Sequence, residues 1–565
     1  MGLVKAHGDL ADLVDALAVF SSHYDEIQLT VTTASGTETP RRSSRRTGSI
    51  PATRVPSRGR QKTRGSSVNV SKRWTNTILG AGLAVTLLSG CGLQPGGGTD
   101  KPGNSIVVGM SDSILAADPA SGYDPGSWLL FNNVFQSLLS FPRGGATPQP
   151  EAAKYCAFEN GNRTYRCTLR DGLAFSNGNS LTSEDVKYSF DRAIRINDPA
   201  GPAPLLSTIA EITTPDAETV VFELKVPDAT FPNKIASGAG SIVDHSEYPA
   251  DSLRKDGKAV GSGPYTLNSL DKSKAVFSVN SGYRGTARVK NSGITLDFFG
   301  GDQKKLASAL EKGDIDVAYR GLSARDISQL EASTSAADSG INVVEGTSAE
   351  VQHLVFNMKD PVVGRLPVRK AIAYLLNRDA LVSEVYHSTA TPLYSIIPAG
   401  ITAHNTAFFD MYGGDPQPAK AEQVLRTAGI TGKVRLTLWS TPSRYGPATD
   451  DEFRAIAKQL NASGLIDAEV KSLPFDQYEK RIAAGELGVY VKGWVPDYPD
   501  PDNFTQPFFG KDNVLQNGYV NNDITDRIIP DTAAHAERGT TENSFGELQD
   551  DVAEDLPILP LWQGK

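Results

Sequence analysis

The sequence lacks the usual marks of several protein classes. Its apolar stretch Ile78–Leu88 is too short to span a bilayer comfortably, and nothing in the chain resembles a multi-span membrane protein. There is no Gly-x-Ser-x-Gly elbow, no His-Glu-x-x-His, no Cys-x-x-Cys and no phosphate-binding Gly-Lys-Ser/Thr loop. The common hydrolase, zinc-peptidase, dithiol and P-loop chemistries therefore have no sequence support, and no enzyme activity or cofactor is expected. Histidines are few, seven in 565 residues. His245, His353, His387, His404 and His535 show no metal-ligand spacing, so no metal site is expected. Basic charge is scarce in the body. Residues 1–90 hold 12 Lys+Arg against 6 Asp+Glu, which leaves 44 against 59 for the rest, a net of −15. An acidic body is a poor partner for nucleic acid, whose phosphates need clustered cations.

Acidic residues are absent from one long stretch. Between Glu38 and Asp100 there are none, while nine Lys and Arg from Arg41 to Arg64 sit among Ser, Thr, Gly and Pro, a composition typical of disorder. Residues 1–67 are read as a disordered basic extension, with the true start near Val68 or Val70; a functional basic arm is the competing reading. Beyond it, Lys72-Arg73, the apolar stretch and Leu88-Ser89-Gly90-Cys91 resemble a bacterial lipoprotein signal peptide over residues 68–90. That resemblance implies cleavage before Cys91, lipidation of its sulfur and anchoring by acyl chains, with residues 91–103 as a flexible tether. A weak membrane anchor or a buried helix is the alternative.

Cysteines number three. With Cys91 lipidated, Cys156 and Cys167 remain, an even count suited to an oxidising compartment. A hairpin loop at Gly161-Asn162 sets 156 opposite 167 and 158 opposite 165, within reach of a disulfide. A loop at Asn160-Gly161 would misalign the pair and leave two free thiols.

The length suggests two to four structural units. Strand-like runs at 105–109, 219–225, 274–279, 294–298, 341–345, 351–357, 433–439, 467–473 and 488–491 alternate with helical patterns. The helical patterns fall at 127–141, 302–312, 324–331, 366–385, 418–428 and 449–463. Thr182 with Asp185 approximates a capping box opening another helix. Alternation of this kind indicates α/β lobes, with a composition break near residue 340.

Several segments together resemble the family 5 extracellular solute-binding proteins, the oligopeptide-, dipeptide- and nickel-binding components of ABC importers. They include Leu169-Arg-Asp-Gly-Leu-Ala-Phe175, Leu181 to Val186 with Ser189-Phe-Asp-Arg192, and Gly261-Ser-Gly-Pro-Tyr265. Val368 to Arg378, Gly493-Trp494 with Asp497-Tyr498, Asp500 to Phe504, and Pro557 to Trp562 follow in order. The similarity spans roughly residues 104–565. It implies an α/β, two-lobed periplasmic-binding-protein-like fold of the type II, peptide-binding subclass, with a ligand cleft between the lobes. The expected layout is lobe I at 104–340 with an extra subdomain at about 146–250, lobe II at 341–530, and a return to lobe I at 531–565. The family normally continues beyond the Pro-Leu-Trp segment, and residues 1–67 have no counterpart in it.

The resemblance also implies a site. Peptide-binding members hold the ligand's α-amine with an aspartate matching Asp497, beside Trp494; a desolvated ammonium needs such a partner. Pro496, Pro499 and Pro501 stiffen that loop. Tyr123, Trp128, Phe356, Asn357 and Trp439 are candidate ligand contacts, with core packing the competing role. Arg320 and Arg444 could meet a ligand carboxylate, or serve as surface cations. The implied function is capture of short peptides for a membrane permease and its ATPase, by a monomer lipid-anchored at the outer face of the cytoplasmic membrane. A sugar or a nickel chelate is the alternative cargo, and a sensor or secreted hydrolase a remoter one.

Overall fold

The computed structural model describes residues 2–5, 25–26 and 105–565, apart from 143, 334–339, 345, 447 and 512. The signal peptide, Cys91, the tether and most of the basic extension lie outside the described residues.

Two bodies carry the fold, each built on its own sheet. The strands of the first are, in chain order, β1 (Gly2–Lys5), β2 (Ser105–Met110), β3 (Ala153–Glu159), β4 (Thr164–Leu169), β5 (Ile209–Thr213), β6 (Thr219–Leu224), β7 (Tyr265–Leu270), β8 (Lys274–Val279), β9 (Gly293–Phe298), β10 (Val317–Tyr319) and β11 (Ile341–Val344). A seven-stranded sheet runs β7-β8-β9-β2-β10-β1-β11, with β2 parallel to both of its neighbours. The extra subdomain is the four-stranded antiparallel sheet β3-β4-β6-β5. The second body holds β12 (Val351–Phe356), β13 (Ala390–Pro392), β14 (Val434–Ser440), β15 (Ile466–Ser472), β16 (Val489–Trp494) and β17 (Ile558–Gly564), in the order β13-β17-β12-β16-β14-β15.

Their cores are separate. The second lobe buries one large cluster from Val351 to Trp562. The subdomain has its own around Phe190, Phe222 and Phe231, and a third cluster packs around Leu130, Phe131 and Phe277. The chain passes from first to second lobe between β11 and β12, so the boundary falls a few residues past the expected 340.

Two expectations are corrected. Residues 531–565 do not return to the first lobe. β17 pairs with β12 on one side and β13 on the other, and its Ile558, Leu559 and Leu561 are fully buried in the second-lobe core. A near-continuous apolar run is what a strand buried on both faces requires. Within the extension expected to lack structure, β1 pairs on both edges, with β10 and β11, and Asp25–Glu26 pairs with Thr347–Ser348. Ladder bonds on both sides satisfy the backbone there whatever the composition around it.

The hairpin β3–β4 pairs Cys156 with Cys167 and Phe158 with Tyr165, and the two cysteines form a disulfide. The closing turn is longer than two residues: Asn160, Gly161 and Asn162 all adopt left-handed φ of 51–63°.

Candidate ligand-binding site

Four helices set the scene: α1 (Pro125–Val134), α2 (Ser183–Ile196), α3 (Phe231–Ala236) and α4 (Ile529–Ala534). Tyr123 stands just ahead of α1. Asp124 caps that helix, accepting from Ser127 N at 2.9 Å, and Pro125 occupies its first turn. The Ser127 hydroxyl accepts from Leu115 N and Ala116 N, folding the preceding loop back onto the helix. Arg192 on α2 grips the same loop. Its guanidinium is 1% exposed and bonds both oxygens of Asp118, at 2.8 and 2.6 Å. This bidentate buried pair is the strong kind of ion pair, and it gives the Ser-Phe-Asp-Arg signature a physical purpose: fixing the loop that ends in Tyr123. The capping box of α2 is present, with Asp185 accepting from Thr182 N at 2.9 Å.

The facing side comes from the loop after β16. Pro496, Pro499 and Pro501 limit its backbone, and Asp500 caps the short 3-10 turn Pro501–Phe504. That turn brings Asn503 back over the loop. Asn503 Oδ1 accepts from Trp494 Nε1 at 2.9 Å and from Asp497 N at 2.8 Å, while its Nδ2 donates to Asp497 Oδ2 at 3.1 Å. The other carboxylate oxygen accepts from the Tyr123 hydroxyl across the cleft. Tyr123 and Trp128 meet edge to face, with centroids 5.4 Å apart, and Gly238 lies against the indole face.

Asp497 is 7% exposed, and burial pushes its carboxyl up to about 6 against the hydrogen bonds from Tyr123 and Asn503 and the charge of Lys234. Among the described residues it has no ion-pair partner within salt-bridge distance.

The structure brings Asp497, Trp494, Tyr123 and Trp128 into one neighbourhood, sets Phe356 and Asn357 apart from it, and gives Trp439, Arg320 and Arg444 partners of their own. Phe356 is fully buried in the second-lobe core. It pairs with Val489, while Val351 pairs with Trp494, so it lies five residues, or about 17 Å, along the sheet from the site end. Asn357 donates its amide to Gly485 O and Leu487 O and accepts from Lys359 N, a turn role that occupies both ends of the side chain. Trp439 pairs with Tyr490 and is flanked by the cations Arg481 and Lys471 at 4.6 and 5.8 Å. Arg320 takes a left-handed φ of 55° and sits 3.7 Å from Asp112. Arg444 is exposed, with its guanidinium over the Phe475 ring. Asn503 is the residue that sequence reasoning did not single out. Its position in Asp500 to Phe504 was noted, but nothing in the run marks which polar residue turns inward.

A cluster of Asp185, Asp244 and His245 also forms, with potential ligand atoms within 4.8 Å of one another. Its groups are already engaged: His245 Nδ1 lies 2.7 Å from Asp185 Oδ1, and Asn177 and Asn179 donate to Asp244.

Comparison with known proteins agrees with this architecture. The family model described as bacterial extracellular solute-binding proteins, family 5 Middle, matches residues 147–516. The dipeptide-binding protein of Escherichia coli (strain K12) is 28% identical over 418 residues, 68% of this chain and 74% of that protein. DppA, an ABC transporter-associated periplasmic binding protein from Helicobacter pylori in complex with the peptide STSA, gives a TM-score of 0.67 at 22% identity, covering 81% of this chain and 92% of its own. MppA, a periplasmic murein tripeptide-binding protein in an unliganded open form, gives 0.67 at 20% identity, covering 82% and 92%. These neighbours share the two-lobed α/β fold, and the relatives are substrate-binding transport proteins rather than enzymes. With a family model matching well over half of its length, the chain belongs to the bacterial extracellular solute-binding proteins, family 5.

Proposed function

We propose that this chain is the solute-binding component of an ABC importer, and that it captures short peptides by their free N-terminal amine. The observation that carries this reading is Asp497: a carboxylate 7% exposed, hydrogen-bonded by Tyr123 and Asn503, and without a salt-bridge partner among the described residues. A peptide ammonium supplies the missing charge. A neutral sugar has no ammonium for that carboxylate to pair with. Trp494, Tyr123 and Trp128 give the first residue of the ligand an aromatic setting. Binding proteins for dipeptides and other short peptides among the relatives support the same cargo class.

The finer parts of the proposal rest on the N-terminal sequence. Cys91 carries the lipid, residues 91–103 tether the lobes, and the protein stands at the outer face of the membrane to deliver its ligand to a permease. No helix of the described residues is long and apolar enough to cross a membrane.

Replacing Asp497 with Ala tests the site. Loss of one side of a buried charge pair typically costs about 3–5 kcal/mol, so calorimetric titration with a tight-binding free peptide is expected to show at least a hundredfold weaker binding. Unchanged affinity would sink the amine-capture reading.

A further inference from the structure

Beside the ligand site, the two lobes meet through a second set of groups. On the first lobe these are the turn of the disulfide-closed hairpin and the segment leading into α3. On the second they are the end of α4 and the loop after Asp497.

Three kinds of contact join them. Ala229 N donates to Ala533 O at 2.7 Å, a backbone bond across the interface. Asn162 Nδ2 donates to Ala534 O at 2.9 Å, and Asn162 O accepts from Asp228 N, which ties the hairpin turn to the α3 segment. Tyr498 leaves the second lobe altogether: it is 3% exposed and packs in the subdomain core with Phe231 and Ile235. A weaker polar contact, Asn233 Nδ2 to Asp500 Oδ2 at 3.4 Å, lies alongside.

The salt bridges on each face close within that face. Asp228 takes Lys234 Nζ at 2.7 Å together with Thr208 and Thr230. Arg538 takes Asp500 at 2.9 and 3.0 Å and Asp502 at 2.9 Å, and Thr532 completes Asp502. Parting the faces therefore breaks no ion pair. It exposes one backbone donor, two carbonyls, the amides of Asn162 and Asn233 and one tyrosine ring, whose polar groups water can satisfy at modest cost. Such an interface can open and shut.

We propose that Asn162, Ala229 and Tyr498 form a latch that holds the cleft shut independently of ligand. Tyr498 follows Asp497 directly, so the latch and the amine site share one loop, and a ligand that orders the loop strengthens the latch. The disulfide acts at a distance, by holding the hairpin turn that presents Asn162. This inference rests on the two-lobed fold and is indifferent to the chemistry of the ligand.

Amide hydrogen exchange on the ligand-free full chain reads the latch directly, because the Ala229 amide is one of its bonds. Asn162→Gly is the clean variant: glycine keeps the left-handed backbone of the turn while removing the amide donor. The wild-type Ala229 amide is expected to be protected without ligand. In Asn162→Gly its exchange is expected to speed up roughly threefold to tenfold, the worth of one hydrogen bond, with protection of β12 in the second-lobe core unchanged. A wild-type Ala229 amide that exchanges at the free-chain rate, or equal rates in wild type and variant, would overturn the latch. Failure of the chain to bind any peptide would leave both readouts intact.

Discussion

At the residue scale the chemistry turns on the protonation of Asp497. Burial raises its carboxyl to about 6, above the usual aspartate value, and the hydrogen bonds from Tyr123 and Asn503 only partly offset that. A group whose folded-state value is raised adds stability at low pH and loses it as pH rises through the folded value. Above pH 6 the ligand-free protein thus holds an ionised, buried carboxylate at a cost, and a peptide ammonium offsets that cost on binding. Peptide affinity is accordingly expected to fall as pH drops below about 6, approaching tenfold per unit, since only the ionised form pairs with the amine. Titration calorimetry at pH 7 and pH 5 checks this, and equal affinities at the two values would contradict it. Asp497 stands out in the sequence through the Gly-Trp-x-x-Asp-Tyr motif, and the structure buries it at the end of β16 beside Trp494 and Asn503. Asn503 does not stand out in the sequence, since its role depends on a 3-10 turn returning it over the loop. Phe356 and Asn357 misled for a different reason. Alternation along a strand tells which face a residue takes, but not which end of the strand borders the cleft.

Elements were readable where local chemistry decides them. The strands predicted at 219–225, 274–279 and 294–298 match β6, β8 and β9 to within a residue. The capping box of α2 is present as the sequence suggested. Two long helical patterns were overextended. The pattern at 127–141 ends at Val134, whose carbonyl accepts from Gly263 N at 2.8 Å, while a Cβ at Gly261 would stand 2.1 Å from that same oxygen. The Gly-Ser-Gly turn thus needs its glycines for close approach, and it meets the helix end through a contact 129 residues away in the chain, which no local pattern reveals. The pattern at 366–385 breaks at Asn377, which caps a second helix by accepting from Ala380 N. The hairpin register was legible because the Cys, Phe and Tyr spacing allowed one pairing that joins the cysteines. Its disulfide closes a short loop, and replacing Cys156 and Cys167 with Ser together is expected to cost about 2–4 kcal/mol in denaturant unfolding. An unchanged midpoint and slope would show that the hairpin is held by its strands alone.

At the scale of the whole molecule, the lobes, the subdomain and the cleft followed from the resemblance, while the path of the chain ends did not. β17 completes the second lobe, and β1 fills a place between β10 and β11 in the first. Cleavage before Cys91 removes β1 from that sheet, so lipoprotein processing and this seven-stranded arrangement exclude one another. The mature lobe would then carry β10 and β11 with their inner edges in need of a new partner. Neither alternative alters the cleft, because Tyr123, Trp128, Trp494, Asp497 and Asn503 all lie beyond the cleavage point. The central claim, capture of a free peptide amine between the lobes, is tested most directly by thermal unfolding of the ligand-free protein with a pool of di- to pentapeptides and with the same pool N-acetylated. A ligand at about 1,000 times its dissociation constant stabilises by about 4 kcal/mol, an easily measured rise in Tm. The account predicts a rise with the free pool and none with the acetylated pool. Equal rises with both, or no rise with either, would contradict it.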